Sequence, residues 1–511
     1  MLAFLALVAC NPSAVLDVSD GYYTGPDDIA PDTTDDTDYG TTSGDDTSVS
    51  TGGDDTSAPT GPTHTGDTGP THTGDTGPIV YDSVQVDGIE TRVHSDYGTL
   101  FYVSWEQLVA ATVWVEFSFD EGEWRSSPPI DAAAGPQEHL LLGIPYDEDF
   151  TWRIVNDFGG GEDPEAVFHT EDAEGETEEV PDEVPLPSVT IADEINWDQD
   201  TPWVLTSMSE NGSYGLGGIW WAFIVDRQGR VVWARETPRY HMSMHTQLNY
   251  DKDALLIDYN TYWATYDASG GQIYELKIDG TEVAIYDTPG LHHPFYQLAD
   301  GTMLWGAYIN NNELLEELSP DGSTRTIWDC RDYLESIGDN DSCGSNTVYW
   351  NEPEDTVLFS MFTLDSVVEI DRTSGEVLRT FGHTSDAWSF DPIDSAFWYQ
   401  HGSYYTPEGT LLLSTHDQRN ERSTVVREYE LDEETETLVE IWNFGLDDPL
   451  LGQQMGEAHR LASGNILHNY GTTPRLREAT HDGEIVWDIE WERTNYIGRS
   501  TMLTDLYALA P

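Results

Sequence analysis

The sequence predicts an all-β fold, and three observations support that prediction. The chain is rich in the aromatic residues that strands favour, with 18 Trp, 26 Tyr and 15 Phe. Glycine and other turn residues are frequent, and long apolar patterns with helical spacing are rare. A chain of 511 residues is too long for one ordinary core, so we expect two or three domains.

A repeated unit organises residues 188–511. Its marker is an acidic turn, usually with Gly, followed by an apolar strand that often ends in Trp. The marker recurs about every 50 residues, an interval that accommodates four short strands, the size of one propeller blade. Six markers therefore predict a six-bladed β-propeller. They begin at Asp226, Asp279, Asp321, Asp371, Glu433 and Asp482.

Three histidines occupy one register of this repeat. His245, His293 and His401 each stand eight residues before the turn that leads into an apolar strand. The innermost strands of a propeller line its central channel, so we expect these side chains to converge near the axis. Imidazoles gathered there can bind an anion, bind a metal or act as nucleophiles. No carboxylate or thiol shares the register, so we predict neither a metal site nor a cofactor.

The N-terminal part of the chain divides by composition. Residues 1–10 form an apolar signal-like segment that resembles a bacterial lipobox, so Cys10 is predicted to carry lipid. Residues 11–78 consist mainly of Asp, Thr, Gly, Ser and Pro and predict a disordered tether. Residues 79–172 contain short alternating strands and predict an immunoglobulin-like or fibronectin-like β-sandwich. Residues 173–187 form an acidic linker.

Lipidation at Cys10 implies export. We expect a lipoprotein of the bacterial outer membrane, on its periplasmic or cell-surface side, that touches the membrane only through its anchor. In an oxidising compartment Cys330 and Cys343 are predicted to form a disulfide. The formal net charge of −74 argues against nucleic acid as a partner, because phosphate would be repelled.

Several motifs of the repeat region occur in a fixed order. They are His292-His293 with residues 298–304, the segments 346–348 and 370–377, Gln400-His401, and the segments 460–467 and 477–487. In this order they resemble the bacterial arylsulfotransferase family, the PAPS-independent aryl-sulfate sulfotransferases, over roughly residues 190–505. The resemblance implies a six-bladed propeller with an accessory β-sandwich, which agrees with the repeat.

The resemblance also implies an activity. Members of this family transfer a sulfuryl group from a phenolic sulfate ester to a phenol through a sulfohistidine. By resemblance His401 is the nucleophile, and the pair His292-His293 supplies the leaving-group acid or a sulfuryl contact. Asn346 and Gln400 are expected to bind the substrate. The expected partners are small molecules, a phenolic sulfate and a phenol.

Two positions depart from the family pattern. Gly344 stands where the family has a His, and Ser360-Met361-Phe362 stands where it has an Arg. His245 is a candidate to replace the imidazole and so joins the catalytic set. An Arg fork suits a tetrahedral oxyanion, so another arginine must supply it if the chemistry is kept. The candidates are Arg419, Arg422, Arg475 and Arg499, of which we assign Arg419 and Arg475 to substrate binding.

The alternative is a non-catalytic propeller lipoprotein that binds an aromatic or anionic ligand at the channel mouth. The arrangement at the axis separates the two hypotheses. Two or more histidines and an arginine around one tetrahedral anion favour the enzyme.

Overall fold

The computed structural model confirms the all-β class over the residues that it describes. These are residues 81, 83–120, 122–159, 164–209, 219–262, 268–339, 341–417, 423–494 and 496–511. The predicted segments 1–10 and 11–78, with Cys10, lie outside the described residues, and so does Arg419. The chain divides into two units, Met1–Val80 and Tyr81–Pro511, and the described fold belongs to the second.

Two antiparallel sheets form the first part of this unit. One contains Val86–Val93, Phe101–Gln107 and Gly135–Leu141; the other contains Ala111–Asp120, Glu123–Ser126, Ile130–Ala132, Asp149–Asp157, Val167–His169 and Ala173–Glu176. Val113, Val115 and Phe117 alternate along one strand and face a core that both sheets share. The last strand extends to Glu176, beyond the expected boundary at residue 172. The immunoglobulin-like or fibronectin-like topology stays a prediction.

Six further sheets follow, and we number them along the chain, with the first strand of each called its inner strand. Sheet 1 contains Ile497–Leu503, Trp203–Ser209, Trp220–Asp226 and Val231–Glu236; sheet 2 contains Gln247–Leu248, Leu255–Tyr259, Gln272–Leu276 and Glu282–Asp287; sheet 3 contains Leu291–Gln297, Met303–Ile309, Asn312–Leu318 and Thr324–Asp329. Sheet 4 contains Ser345–Asn351, Thr356–Met361, Ser366–Asp371 and Val377–Gly382; sheet 5 contains His401–Tyr405, Leu411–His416, Thr424–Asp432 and Thr437–Phe444; sheet 6 contains Glu457–Arg460, Ile466–Asn469, Arg475–Ala479 and Ile485–Glu490.

Hydrogen bonds join each of these sheets to the next around a closed ring. Three links are Asn side chains that donate to a carbonyl in or beside the next inner strand: Asn260 to His292 (2.7 Å), Asn346 to Gln400 (2.6 Å) and Asn469 to Gly498 (2.6 Å). The other three are Ser345 to Glu313 (3.0 Å), Ser414 with His468 (3.0 Å), and the amide of Arg499 to the carbonyl of Met244 (2.7 Å). Since the last of these joins sheet 1 to sheet 2, the ring is complete.

The two ends of the ring region meet in neighbouring sheets. Ile497–Leu503, from the C-terminal end, pairs with Trp203–Ser209 and supplies the inner strand of sheet 1. Ser188–Ala192 pairs with Ile485–Glu490 and extends sheet 6 as an outermost fifth strand. The ring is therefore closed by pairing between segments almost 300 residues apart.

The six predicted markers occupy the same turn in all six sheets, between the third and the fourth strand. In five sheets the marker glycine has a left-handed backbone, which glycine adopts without strain. The φ angles are 82° at Gly229, 83° at Gly280, 84° at Gly322, 75° at Gly375 and 84° at Gly483. In sheet 5 Glu436 takes this conformation, with φ 49°. The repeat in the sequence is therefore a repeat of one structural turn.

Hydrogen bonds between neighbouring sheets explain why Trp recurs after the markers. All lie on outer strands, and in three of the four the indole N–H donates to a carbonyl in the marker turn of the next sheet. The bonds run from Trp233 to Ile278 (2.8 Å), from Trp442 to His481 (2.7 Å) and from Trp487 to Arg227 (2.8 Å). An outer strand and its neighbour's turn are thus held together at the rim of the ring.

A helix and a disulfide occupy the connection from sheet 3 to sheet 4. The helix runs over Cys330–Ile337, with Asp329 as its N-cap and Gly338, in the left-handed conformation, as its C-cap. Cys330 is bonded to Cys343, and their Cα atoms are 6.4 Å apart. None of the helices among the described residues is long and apolar enough to cross a bilayer.

We expect Cys330 and Cys343 to be oxidised in protein recovered from an exported compartment. Bridging two cysteines that are 13 residues apart should stabilise the fold by about 3 kcal/mol at most, through chain entropy. Mass spectrometry of a non-reduced digest checks the prediction. Two free thiols on these peptides would contradict it.

Candidate active site

The starts of the six inner strands meet at one end of the ring. The sheets repeat one strand order, so all inner strands run in the same direction along the channel. The side chains that we consider in or next to these strand starts are polar or ionisable. They are His245, His292, Asn346, His401, Glu457 and Arg499, one from each sheet or from the residues just before it.

His401 begins the inner strand of sheet 5, and its two ring nitrogens have different partners. Nδ1 lies 3.1 Å from the carbonyl of Tyr399, which can only accept, so Nδ1 carries the hydrogen. Nε2 accepts from the amide of Met455 at 3.2 Å, so the lone pair is on Nε2. Burial lowers the pKa of His401 to about 4. At neutral pH the ring is therefore a neutral imidazole in a defined tautomer.

His245 lies in the coil two residues before the inner strand of sheet 2 and retains a partly exposed surface. The buried carboxyl of Asp258 positions it by accepting from the backbone amides of Met244 (3.0 Å) and His245 (2.9 Å). Burial, helped by the charge of Arg499 and opposed by that of Glu457, lowers the pKa of His245 to about 3. The imidazoles of His401 and His292 also act on this pKa. These four side chains are therefore close enough for their charges to influence His245.

His292 is buried in the inner strand of sheet 3, and Glu313 holds it. Nδ1 lies 2.8 Å from a carboxylate oxygen of Glu313, which also accepts from the amide (3.1 Å) and hydroxyl (3.0 Å) of Ser345. The rings of Tyr262 and Tyr308 lie 5.0 and 5.4 Å from the imidazole. The Glu313 carboxylate beside Nδ1 therefore fixes the orientation of the His292 ring.

Arg499 reaches the same region from sheet 1 and is held by Glu457 of sheet 6. Its Nε donates to Glu457 at 2.8 Å, and the carboxylate also binds His459 Nε2 (3.0 Å) and the amide of Ser500 (2.5 Å). Although burial opposes it, His459 and Arg499 lower the pKa of Glu457 to about 2. Within the described part of the chain, Nη1 of Arg499 has no hydrogen-bond partner. One edge of the guanidinium is thus anchored by Glu457, and Nη1 is a buried donor that an anion brought to it would satisfy.

Three of the predicted site residues are committed to the scaffold. The amide of Gln400 is buried and donates to Ser360 Oγ (3.1 Å), Met361 O (3.2 Å) and Ser366 O (2.9 Å). Asn346 donates to the Gln400 carbonyl, as described above. Arg475 lies on the third strand of sheet 6 and forms a two-point pair with Asp488 at 2.6 and 2.5 Å. These contacts place Arg475 apart from the histidines.

His293, the predicted partner of His245 and His401, lies in the inner strand of sheet 3, and its side chain is not among those described. The described histidine that contributes to the cluster from this strand is its neighbour His292.

The position of Gly344 lies against Phe362, and the replacement of the family's imidazole by His245 stays a prediction. A Cβ at Gly344 would lie 2.9 Å from Cε1 and 3.0 Å from Cζ of Phe362. The Phe362 ring therefore occupies the space that a side chain at position 344 would need. His245 belongs to the group around Arg499 and Glu457.

Some residues of the site were not predicted from the sequence. Glu313, His459 and the amide of Met455 become visible only when neighbouring sheets are brought together. Glu457 and His459 carry one signal that sequence reading can use, because residues two apart in a strand share a face. Across the described ranges no group of three or more His, Cys, Asp or Glu has an arrangement that could hold a metal ion.

The buried histidines predict a loss of stability in mild acid. Burial lowers the pKa to about 4 for His139 and His401 and to about 3 for His245 and His468, against 6.5 in an unfolded chain. Between pH 6.5 and about 4 the unfolded chain binds more protons, so lowering the pH favours unfolding. Burial raises the pKa of Asp258 to about 6. This one group acts in the opposite direction, because its protonation in the folded state favours folding as the pH falls. We expect Tm to fall across this range; a constant or rising Tm would contradict the prediction.

Comparisons with known proteins bear on this geometry. A search of curated proteins found no match. Among solved structures, the periplasmic gluconolactonase PpgL of Pseudomonas aeruginosa is 10% identical, covers 78% of this chain and 100% of its own, and has a TM-score of 0.39. A catalytically inactive virginiamycin B lyase from Staphylococcus aureus is 11% identical, covers 63% and 97%, and has a TM-score of 0.36. At these TM-scores neither likeness supports a conclusion about this chain.

A comparison with family models is decisive. The model described as "Arylsulfotransferase (ASST)" matches residues 220–497, which is more than half of the 511 residues. The match includes His245, His292, His401 and Glu457, and it stops two residues before Arg499. The resemblance seen in the motifs is confirmed, and the chain belongs to the arylsulfotransferase (ASST) family.

Proposed function

We propose that this protein transfers a sulfuryl group from a phenolic sulfate ester to a phenol through a sulfohistidine on His401. One observation supports the proposal most: His245, His292 and His401, from three sheets, share one channel end with the half-anchored Arg499. We also propose that the six-sheet ring is a six-bladed propeller whose channel mouth holds the substrate. The lipid anchor at Cys10 stays a prediction.

In the first half-reaction, Nε2 of His401 attacks sulfur. An N–S bond forms, the bond from sulfur to the aryl oxygen breaks, and the electron pair leaves on that oxygen. The tautomer set by Tyr399 gives Nε2 the lone pair, and the low pKa keeps it unprotonated. The amide of Met455 that occupies Nε2 in this structure must release it, and is then placed to donate to a sulfuryl oxygen.

Arg499 and His245 bind the sulfuryl oxygens. Because the pair with Glu457 uses only Nε, the other N–H groups of the guanidinium can donate to the sulfuryl oxygens. His245, neutral at physiological pH, adds an uncharged contact. In this proposal Arg499 takes over the role of the arginine that the family has in place of Ser360-Met361-Phe362.

In this proposal His292 is the proton donor of the first half-reaction and the proton acceptor of the second. The proposal requires the imidazolium form of His292, oriented by Glu313, at the start of the first half-reaction. It donates a proton to the departing aryl oxygen, is left as neutral imidazole, and takes a proton from the acceptor phenol in the second half-reaction. The acceptor oxygen then attacks sulfur, the N–S bond to His401 breaks, and the free imidazole is restored. Atoms, charge and protons balance over the two steps.

An assay with purified protein, a chromogenic aryl sulfate and a phenol acceptor tests the proposal. We expect release of the chromophore, a sulfated acceptor, and, without acceptor, a sulfo group on the peptide that contains Gln400 and His401. No release from a broad set of aryl sulfates would contradict it and favour a protein that binds an aromatic or anionic ligand without turnover.

A further inference from the structure

Phe362 occupies a place next to the proposed nucleophile that the family pattern gives to polar side chains. It begins the short 3-10 turn Phe362–Leu364, which joins the second and third strands of sheet 4 at the channel end where His401 lies. Its ring covers Gly344, and its own position is one of the three at which the resemblance expects an Arg. One aromatic ring has replaced an imidazole and a guanidinium.

Hydrogen bonds hold the backbone of the turn that carries Phe362. The amide of Phe362 donates to the carbonyl of Gly344 at 3.0 Å, and the amide of Gly344 donates to Thr363 Oγ1 at 2.8 Å. The Thr363 hydroxyl in turn donates to the carbonyl of Ser342 at 2.7 Å. The turn is therefore tied to the segment that carries Cys343, which fixes the backbone position of Phe362.

Phe362 faces the nucleophile. Its centroid lies 6.2 Å from that of His401, with 22° between the planes, and 5.3 Å from Tyr399 in an edge-to-face contact. Tyr399 stacks in turn on His416 at 5.1 Å. Phe362 remains partly exposed, so part of an apolar aromatic surface is open next to His401.

The charge of Arg499 and the aromatic surface of Phe362 lie on opposite sides of the channel. Arg499 belongs to sheet 1 and Phe362 to sheet 4, which are opposite in a ring of six sheets. A sulfate ester whose sulfuryl oxygens contact Arg499 therefore has an apolar wall available on the opposite side. No basic side chain comes from positions 360–362 or 344 to neutralise a charged substituent there.

We propose that Phe362 forms the aryl-binding wall of the site and selects donors and acceptors with uncharged rings over rings that carry a carboxylate. The inference rests on the proposed function. An uncharged ring gains contact with Phe362, whereas a carboxylate loses hydration against it without gaining a partner. Phe362 is a specificity-determining residue in this account, and it takes no part in proton or sulfuryl transfer.

The test compares 4-nitrophenyl sulfate with 4-carboxyphenyl sulfate in wild type, Phe362→Leu, Phe362→Ala and Phe362→Arg. We expect wild type to prefer the nitro compound, Phe362→Ala to raise its KM about five- to tenfold, and Phe362→Leu to raise it less. Phe362→Arg should shift the preference toward the carboxylate. Trp124→Leu, which removes an exposed aromatic ring from the two-sheet N-terminal part, is the matched control. Equal preference in wild type and in the Phe362 variants would overturn the inference.

A binding measurement separates this inference from the proposed function. If wild type releases no phenol, binding of 4-nitrophenol is measured by calorimetry in wild type and Phe362→Ala. Binding that weakens about fivefold or more in the variant supports the aryl wall although the sulfuryl transfer has failed. Binding that is equal in both, or absent in both, overturns it. Tm of each variant establishes that the comparison is between folded proteins.

Discussion

The His401→Ala protein should lose sulfuryl transfer while it keeps its fold. Removing a nucleophile eliminates the covalent route, and losses on the order of 10⁴-fold or more are the rule for such changes. The structural cost is small, because among the described residues the imidazole makes two hydrogen bonds, to the carbonyl of Tyr399 and from the amide of Met455. We expect about 1 to 2 kcal/mol of lost stability. The measurement is phenol release under saturating aryl sulfate, with Tm recorded in parallel.

The control for this experiment is His481→Ala. His481 is exposed in the marker turn of sheet 6, where the bond from Trp442 goes to its backbone carbonyl and so survives the substitution. We expect wild-type transfer from this variant. Equal phenol release from His401→Ala and wild type would refute the assignment of His401 as nucleophile. So would a trapped sulfo group on any peptide that lacks His401.

The strand repeat was predictable because it depends on local chemistry. A left-handed glycine after an acidic residue and a Trp on the following strand both reflect contacts within one turn or with its direct neighbour. The six markers therefore fall on one equivalent turn. The closing role of Ile497–Leu503 was not predicted, because pairing across almost 300 residues leaves no local pattern.

The site was predictable only in part, for a related reason. His401 and His245 were found from a register that one strand and one turn determine. His292 was predicted only through the family resemblance, because it stands one residue outside that register. Glu313 and Glu457 act on side chains from neighbouring sheets, and such pairs cannot be read from one segment.

Replacing Arg499 should reduce turnover strongly. If its free edge binds the sulfuryl oxygens, Arg499→Gln removes the charge that stabilises them, and kcat/KM should fall by about 10² to 10³. Arg499→Lys keeps a charge but loses the planar fork, so its loss should be smaller. Arg475→Gln removes the same charge from a residue that is paired with Asp488 on the third strand of sheet 6. Its transfer rate should stay near that of wild type.

A titration provides a readout of Arg499 that does not depend on activity. The charge of Arg499 contributes to the lowering of the pKa of His245, while Glu457 acts to raise it. In Arg499→Gln the opposing carboxylate remains, held by His459 and the amide of Ser500, so the pKa of His245 should rise, as an NMR titration would show. An unchanged pKa together with retained turnover would remove Arg499 from the site. A raised pKa with retained turnover would mean that Arg499 lies beside His245 but does not bind the sulfuryl group, and the oxyanion contact would then fall to His245 and the amide of Met455.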